Sequence, residues 1–121
     1  MTYIKKMRLF SNDAKKLADF YGEIFNHEIT SSRENGIAIY ECRIDSNIKF
    51  IFINSTESNS HIGMEFNVGE RFKIIETILS KWNLPYERQA SDIHASLQTK
   101  DPDGNELLFK KGIYTFMPII G

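Results

Sequence analysis

Apolar and polar positions change spacing along this chain in an order that repeats once. Ile4 to Phe10 reads as a strand, and the short polar residues Ser11, Asn12 and Asp13 then supply the side-chain acceptors that start a helix. Apolar residues at Ala14, Leu17, Ala18, Tyr21 and Phe25 follow at helical spacing and predict a helix from about Asp13 to Phe25. Three strands are expected next, at His27 to Thr30, Gly36 to Arg43 and Ile48 to Ile53. Glu34-Asn-Gly36 reads as a tight turn, and Asp45-Ser-Asn47 sets a hairpin between the last two strands. The polar segment Ser55 to Ser60 lacks periodicity and reads as a linker.

The order then returns. His61 to Asn67 is a strand candidate, and Phe72, Ile75, Ile78 and Leu79 mark a helix within Gly69 to Trp82. Pro85 closes that helix, because the residue before a proline is pushed out of helical geometry. Pro85 to Arg88, His94 to Thr99 and Glu106 to Lys110 are further strands, with the turn Asp101-Pro-Asp-Gly-Asn105 between the last two. The pattern is βαβββ twice, an α+β chain of two tandem modules, about 1–55 and about 60–112, followed by the apolar tail 113–121. Each module pairs one helix with a four-stranded, antiparallel or mixed sheet.

Composition narrows the class. The chain has 121 residues, 41% hydrophobic and 26% charged, enough to bury a core without disulfides or a structural metal. A formal net charge of −1 argues against nucleic-acid binding by gross electrostatics, and no apolar stretch reaches membrane-spanning length. The lone Cys42 excludes a disulfide scaffold and CxxC zinc motifs, and reads as a buried inert thiol. With no apolar signal-peptide core behind Met1 to Phe10, a cytoplasmic location is expected. The tail Ile113-Tyr-Thr-Phe-Met-Pro-Ile-Ile-Gly121 is apolar for a terminus and is expected to pack over the domain or in a homodimer interface.

Three motifs in order carry a resemblance. They are the helix Asp13-Ala-Lys-Lys-Leu-Ala-Asp-Phe-Tyr-Gly-Glu-Ile-Phe-Asn26, the strand His61-Ile-Gly-Met-Glu-Phe66 and the turn Asp101-Pro-Asp-Gly-Asn105. Together they resemble the vicinal oxygen chelate superfamily, which holds glyoxalases, bleomycin resistance proteins and extradiol dioxygenases. Asn26 stands where that family usually has Gly. The resemblance implies sheets curved around a cavity. It also implies a divalent ion held there by His and by Glu or Gln.

Residue by residue, the implied metal set is depleted. The family's first His, fifteen residues before the Tyr of Phe-Tyr, falls on Lys6, whose ammonium has no lone pair to give. The carboxylate four residues after the turn Gly falls on Leu108, and the fourth-strand ligand falls near Phe52. Only His61 keeps the family's identity, so no metal cofactor (Zn, Ni or Mn) is expected; one present would use His61 with Glu65 or Glu106. Alternation along strands places Lys6, Arg8, His61, Glu65, Glu106 and Leu108 on the implied cavity face, and Phe50 and Phe52 are assigned there too.

Lys6 and Arg8 either grip an anionic group of a small ligand or neutralise Glu65 and Glu106. His61 is a general base oriented by Glu65 or Glu106, with Glu65 as its catalytic partner, or else a structural remnant or a ligand hydrogen-bonder. His94 is expected near the pocket mouth, exposed, and His27 at a helix end. The expected function is binding of a small, anionic or aromatic molecule without a metal, by a homodimer that engages neither nucleic acid nor membrane. The alternatives are a metal-dependent lyase or isomerase of the glyoxalase type, a thiol transferase, and an interaction module with no small ligand.

Overall fold

The computed structural model describes residues 2–56, 61–91 and 93–112. The tail 113–121 and most of the expected linker lie outside these residues. The chain divides into two compact units, 1–60 and 61–121, each with its own sheet and helix.

In the first unit the strands are β1 (Lys6–Ser11), β2 (Ile29–Glu34), β3 (Ile37–Arg43) and β4 (Lys49–Asn54), with helix α1 (Ala14–Phe25) between β1 and β2. The sheet order is β1-β4-β3-β2, with β1 parallel to β4 and the other pairs antiparallel. The sheet is therefore mixed, because β1 reaches its partner through a helical crossover rather than a hairpin. The carboxylate of Asp13 caps α1 by accepting from the Lys16 N–H at 3.2 Å. Asn26 closes the helix in left-handed geometry at φ 56°, a role glycine usually fills and asparagine tolerates. The expected Glu34-Asn-Gly36 turn forms with positive φ at Asn35 and Gly36, the geometry that lets two residues join twisted strands.

The core of this unit is aromatic. Tyr21 on α1 stacks on Phe52 at 5.6 Å between ring centroids and meets Phe50 edge-on at 5.4 Å. Leu9, Ala14, Leu17, Ala18, Phe20, Ile24 and Cys42 are buried with them, and Ile51 is buried on the other face of the sheet. Strand β2 begins later than expected, at Ile29 rather than His27, and runs four residues further, to Glu34. Its pairing with β3 from Ile29↔Cys42 to Glu34↔Ile37 stabilises a polar segment that has no apolar pattern of its own.

The second unit repeats the plan with β5 (Gly63–Asn67), helix α2 (Phe72–Lys81), β6 (Tyr86–Ala90), β7 (His94–Lys100) and β8 (Glu106–Gly112). Its sheet order is β5-β8-β7-β6, again with one parallel pair, β5 with β8. A single 3₁₀ turn, Gly69–Arg71, precedes α2 where the sequence predicts continuous helix. Gly69 has φ 52°, which the first turn of an α-helix does not accept. Helix α2 buries Phe72, Ile75 and Leu79 on the face that spacing predicts, while Phe66 stacks on Phe109 at 5.7 Å across β5 and β8. Asn83, at φ 56°, ends the helix ahead of Pro85.

Candidate functional site

Each sheet has one face against its helix and one open face. In the first unit the register fixes which residues share the open face: Lys6 lies beside Lys49, Arg8 beside Ile51 and Phe10 beside Ile53. Across the next ladder Lys49 faces Arg43, Ile51 faces Glu41 and Ile53 faces Ile39. Lys6 and Arg8 thus stand on the open face as expected, both exposed.

Phe50 and Phe52 do not. They pair with Met7 and Leu9, the helix-facing residues of β1, and both rings are buried against Tyr21. Their assignment to the cavity face is corrected here: the open face of β4 carries Lys49, Ile51 and Ile53. The run Ile48 to Ile53 is apolar in both phases, so alternation alone cannot choose a face, and the ring of Tyr21 decides it. Lys49 and Arg43 were missed with that phase. The signal was Lys49 itself, the charged residue in an otherwise apolar run.

The open face therefore changes character along its strands. One end holds a row of three cations, Lys6–Lys49–Arg43, and the next row carries Arg8, Ile51, Glu41 and Thr30. The row after that is apolar, Phe10–Ile53–Ile39, with Phe10 44% exposed. At the cationic end His27, Glu28, Thr30, Glu41, Arg43 and Lys49 line a groove of about 370 Å³.

In the second unit, His61 precedes β5 rather than lying within it. Its imidazole rests on the turn: Cε1 and Nε2 lie 3.3 Å from where a Cβ on Gly104 would stand. The turn is held from beneath. Asp101, buried, accepts through Oδ1 from the backbone N–H of Asp103 at 2.9 Å and of Asn105 at 3.0 Å, and through Oδ2 from Asn105 Nδ2 at 2.8 Å. Asn105 Oδ1 then accepts from the Ile62 N–H at 3.0 Å, and the Glu106 N–H donates to the Ile62 carbonyl at 2.9 Å. The turn is thus a clasp that fixes the residue after His61.

Glu65 does not orient His61. Its carboxylate pairs with Lys110 Nζ at 3.2 Å and is 59% exposed. Glu106 and Leu108 lie on the same open face as Glu65, and Glu65, Gln98, Glu106 and Leu108 border a groove of about 410 Å³. His94 is exposed, as expected, beside a smaller hollow of about 210 Å³ with Glu65, Asn67, Lys110 and Gly112; its Nδ1 lies 3.2 Å from Ser91 Oγ. Among the described residues, no three His, Cys, Asp or Glu side chains come together as a metal-binding group. Cys42 is buried and its thiol is pushed up to about 11 by loss of hydration, the inert state expected of it. No helix among the described residues is long and apolar enough to cross a membrane.

No family model matches the chain, and no curated protein does. Solved structures do. The oxidase ChaP-H2 superposes with a TM-score of 0.79 over 95% of this chain and 97% of its own, at 17% identity. A glyoxylase/bleomycin resistance protein/dioxygenase domain from Frankia sp. EAN1pec gives 0.73 over 93% and 98%, at 14% identity. TnmS3, an antibiotic-binding protein from Streptomyces sp. CB03234, gives 0.71 over 93% and 97%, at 11% identity. The chain has the vicinal oxygen chelate fold, as its three ordered motifs imply. At these identities the likeness concerns the backbone and leaves the chemistry to the residues.

Proposed function

We propose that this chain is a metal-independent binding protein for a small acidic molecule with an apolar body, received on the open face of the first sheet. The observation that carries this reading is the division of that face. Lys6 and Arg8 stand on β1 in alternation with Phe10, and Ile51, Ile53 and Ile39 continue the apolar part across the sheet. Binding surfaces for small molecules are mostly apolar, with a few placed polar groups that fix orientation. Arg8 suits a carboxylate because its guanidinium can donate two parallel hydrogen bonds. TnmS3 is described as antibiotic-binding, so binding is a use this fold has elsewhere.

The donor set does not fit the divalent ion that the resemblance implies. Lys6 and Leu108 hold two of the implied positions and offer no lone pair to a metal. Glu65 is engaged by Lys110, and the His61 ring lies on Gly104. His61, Glu65 and Glu106, with the apolar Leu108 beside Glu65, are read as a second ligand-facing surface rather than as catalytic groups. A homodimer is part of the same reading, from the apolar sequence 113–121; light scattering in solution tests the assembly.

The test has two arms. Elemental analysis of protein purified without chelator is expected to find no stoichiometric Zn, Ni or Mn. Thermal shift with aryl carboxylates is expected to raise the melting temperature of the wild type and not of the Lys6→Gln/Arg8→Gln double variant. Stoichiometric metal that disappears on His61→Ala would overturn the metal-free reading.

A further inference from the structure

We infer that the cationic end of the first sheet is built for a doubly charged oxyanion, a phosphate ester in preference to a carboxylate, and that Lys49 and Arg43 hold it together with Lys6. This rests on the binding reading above and narrows it to one ligand class.

The argument begins with a local cost. Lys49 has a cation directly beside it on both neighbouring strands, Lys6 on β1 and Arg43 on β3. Adjacent strands lie about 4.8 Å apart, and like charges placed directly opposite destabilise a sheet. The fold relieves this row only in part, through Glu28 and Glu41 on the groove that Arg43 and Lys49 border. Ion pairs among the described residues join Lys15 to Asp19, Arg88 to Glu76 and Lys110 to Glu65, and none reaches Lys6, Lys49 or Arg43. Asp45, on the loop between Arg43 and Lys49, is turned onto its own loop, where Oδ1 accepts from the Asn47 N–H at 2.6 Å and the Ile48 N–H at 2.9 Å. Arg43 spends one guanidinium N–H on the Ser46 carbonyl at 3.3 Å and keeps the rest of its fork.

Two of the three cations also border a groove. Arg43 and Lys49 line the groove of about 370 Å³, where Thr30 adds a hydroxyl and His27 an imidazole. Two carboxylates, Glu28 and Glu41, share the lining. Glu41 lies one row further on, level with Arg8, and Glu28, just before the Ile29 that pairs with Cys42, lies on the Arg43 side, so the least opposed place for an anion is over Lys49 towards Lys6. Three cations from three strands match a group with three acceptor oxygens and a charge of roughly −1.5 to −2, which describes a phosphate monoester. A carboxylate has one charge and two oxygens, and would leave part of the row uncompensated.

Titration calorimetry of the full chain at low salt with phenyl phosphate and with benzoate separates the two levels of the reading. Phenyl phosphate is expected to bind about tenfold more tightly than benzoate, and Lys49→Gln to lose about that factor for phenyl phosphate while changing benzoate little. Without ligand, Lys49→Gln is expected to melt at a higher temperature than the wild type, because the like-charge row is relieved. This also shows that the variant folds. Equal binding of the two compounds would overturn the phosphate inference and leave the acidic-ligand reading standing. Tighter phenyl phosphate binding that survives both Lys49→Gln and Arg43→Gln would place the site elsewhere and overturn the inference as well. Binding of neither compound would remove both readings.

Discussion

Asp101→Ala should be among the most damaging single substitutions in the second unit, although the residue lies in a turn. Asp101 is 3% exposed, and its carboxylate accepts from two backbone N–H groups and the Asn105 amide. A hydrogen bond to a charged acceptor contributes about 1.5–3 kcal/mol, and a buried donor left without a partner costs about 1–3 kcal/mol. These terms share atoms and do not add, so the expected loss is about 3 kcal/mol. Urea unfolding followed by circular dichroism measures it, with an unchanged m-value showing that the two end states are preserved. Asp103→Ala is the control. Asp103 donates its backbone N–H to the clasp, which alanine keeps, so its loss should stay within about 0.5 kcal/mol. The local readout is amide exchange at Ile62, whose N–H donates to Asn105 Oδ1, and the ring resonances of His61, which lies on Gly104. Equal costs for the two variants, or His61 resonances untouched by Asp101→Ala, would refute the clasp.

Phe52→Ala should cost about 4 kcal/mol in the same assay, since it empties a fully buried aromatic site beside Tyr21; a cost typical of a surface position would restore the cavity-facing assignment. Gly104→Ala should destabilise by about 1–2 kcal/mol and shift the His61 ring resonances, because φ there is 92° and the added methyl meets the ring at 3.3 Å. Cys42 should resist thiol reagents in the native state and react once denaturant is added, as judged by absorbance of the released chromophore. Its raised native pKa means the native state keeps a proton that the unfolded state has lost. That contribution is full at pH below about 9 and should decline as pH rises towards 11, visible as a falling midpoint in alkaline urea titrations that Cys42→Ala abolishes.

The element order was legible because both helices announce themselves by spacing and by their ends: Asp13 at the start of α1, and Pro85 after α2. What stayed hidden has physical causes. Strand β2 has few apolar residues and is specified by its partner β3, a contact that no local pattern encodes. A mixed sheet was among the expectations, but which strands pair in parallel was not, because β1 with β4 and β5 with β8 join residues more than forty positions apart. Asp101 and Asn105 read as turn formers, which they are, but their burial and their hold on Ile62 depend on β5 lying alongside β8.

The candidate site turned on the phase of one strand. In β4 either set of alternate residues was apolar enough to be the inner one, and choosing Phe50 and Phe52 as cavity residues kept Lys49 out of view. Placing those rings against Tyr21 does more than exchange two names. It puts Lys49 between two cations, and it moves the apolar contribution of the open face to Ile51, Ile53 and Ile39, level with Arg8 and Phe10. The family resemblance located Lys6 as a lost metal ligand, a description that says only what the residue cannot do. Its neighbours give it a positive role: a lysine at the edge of a cation row can complete an anion site, and a histidine there could not do so without first taking up a proton.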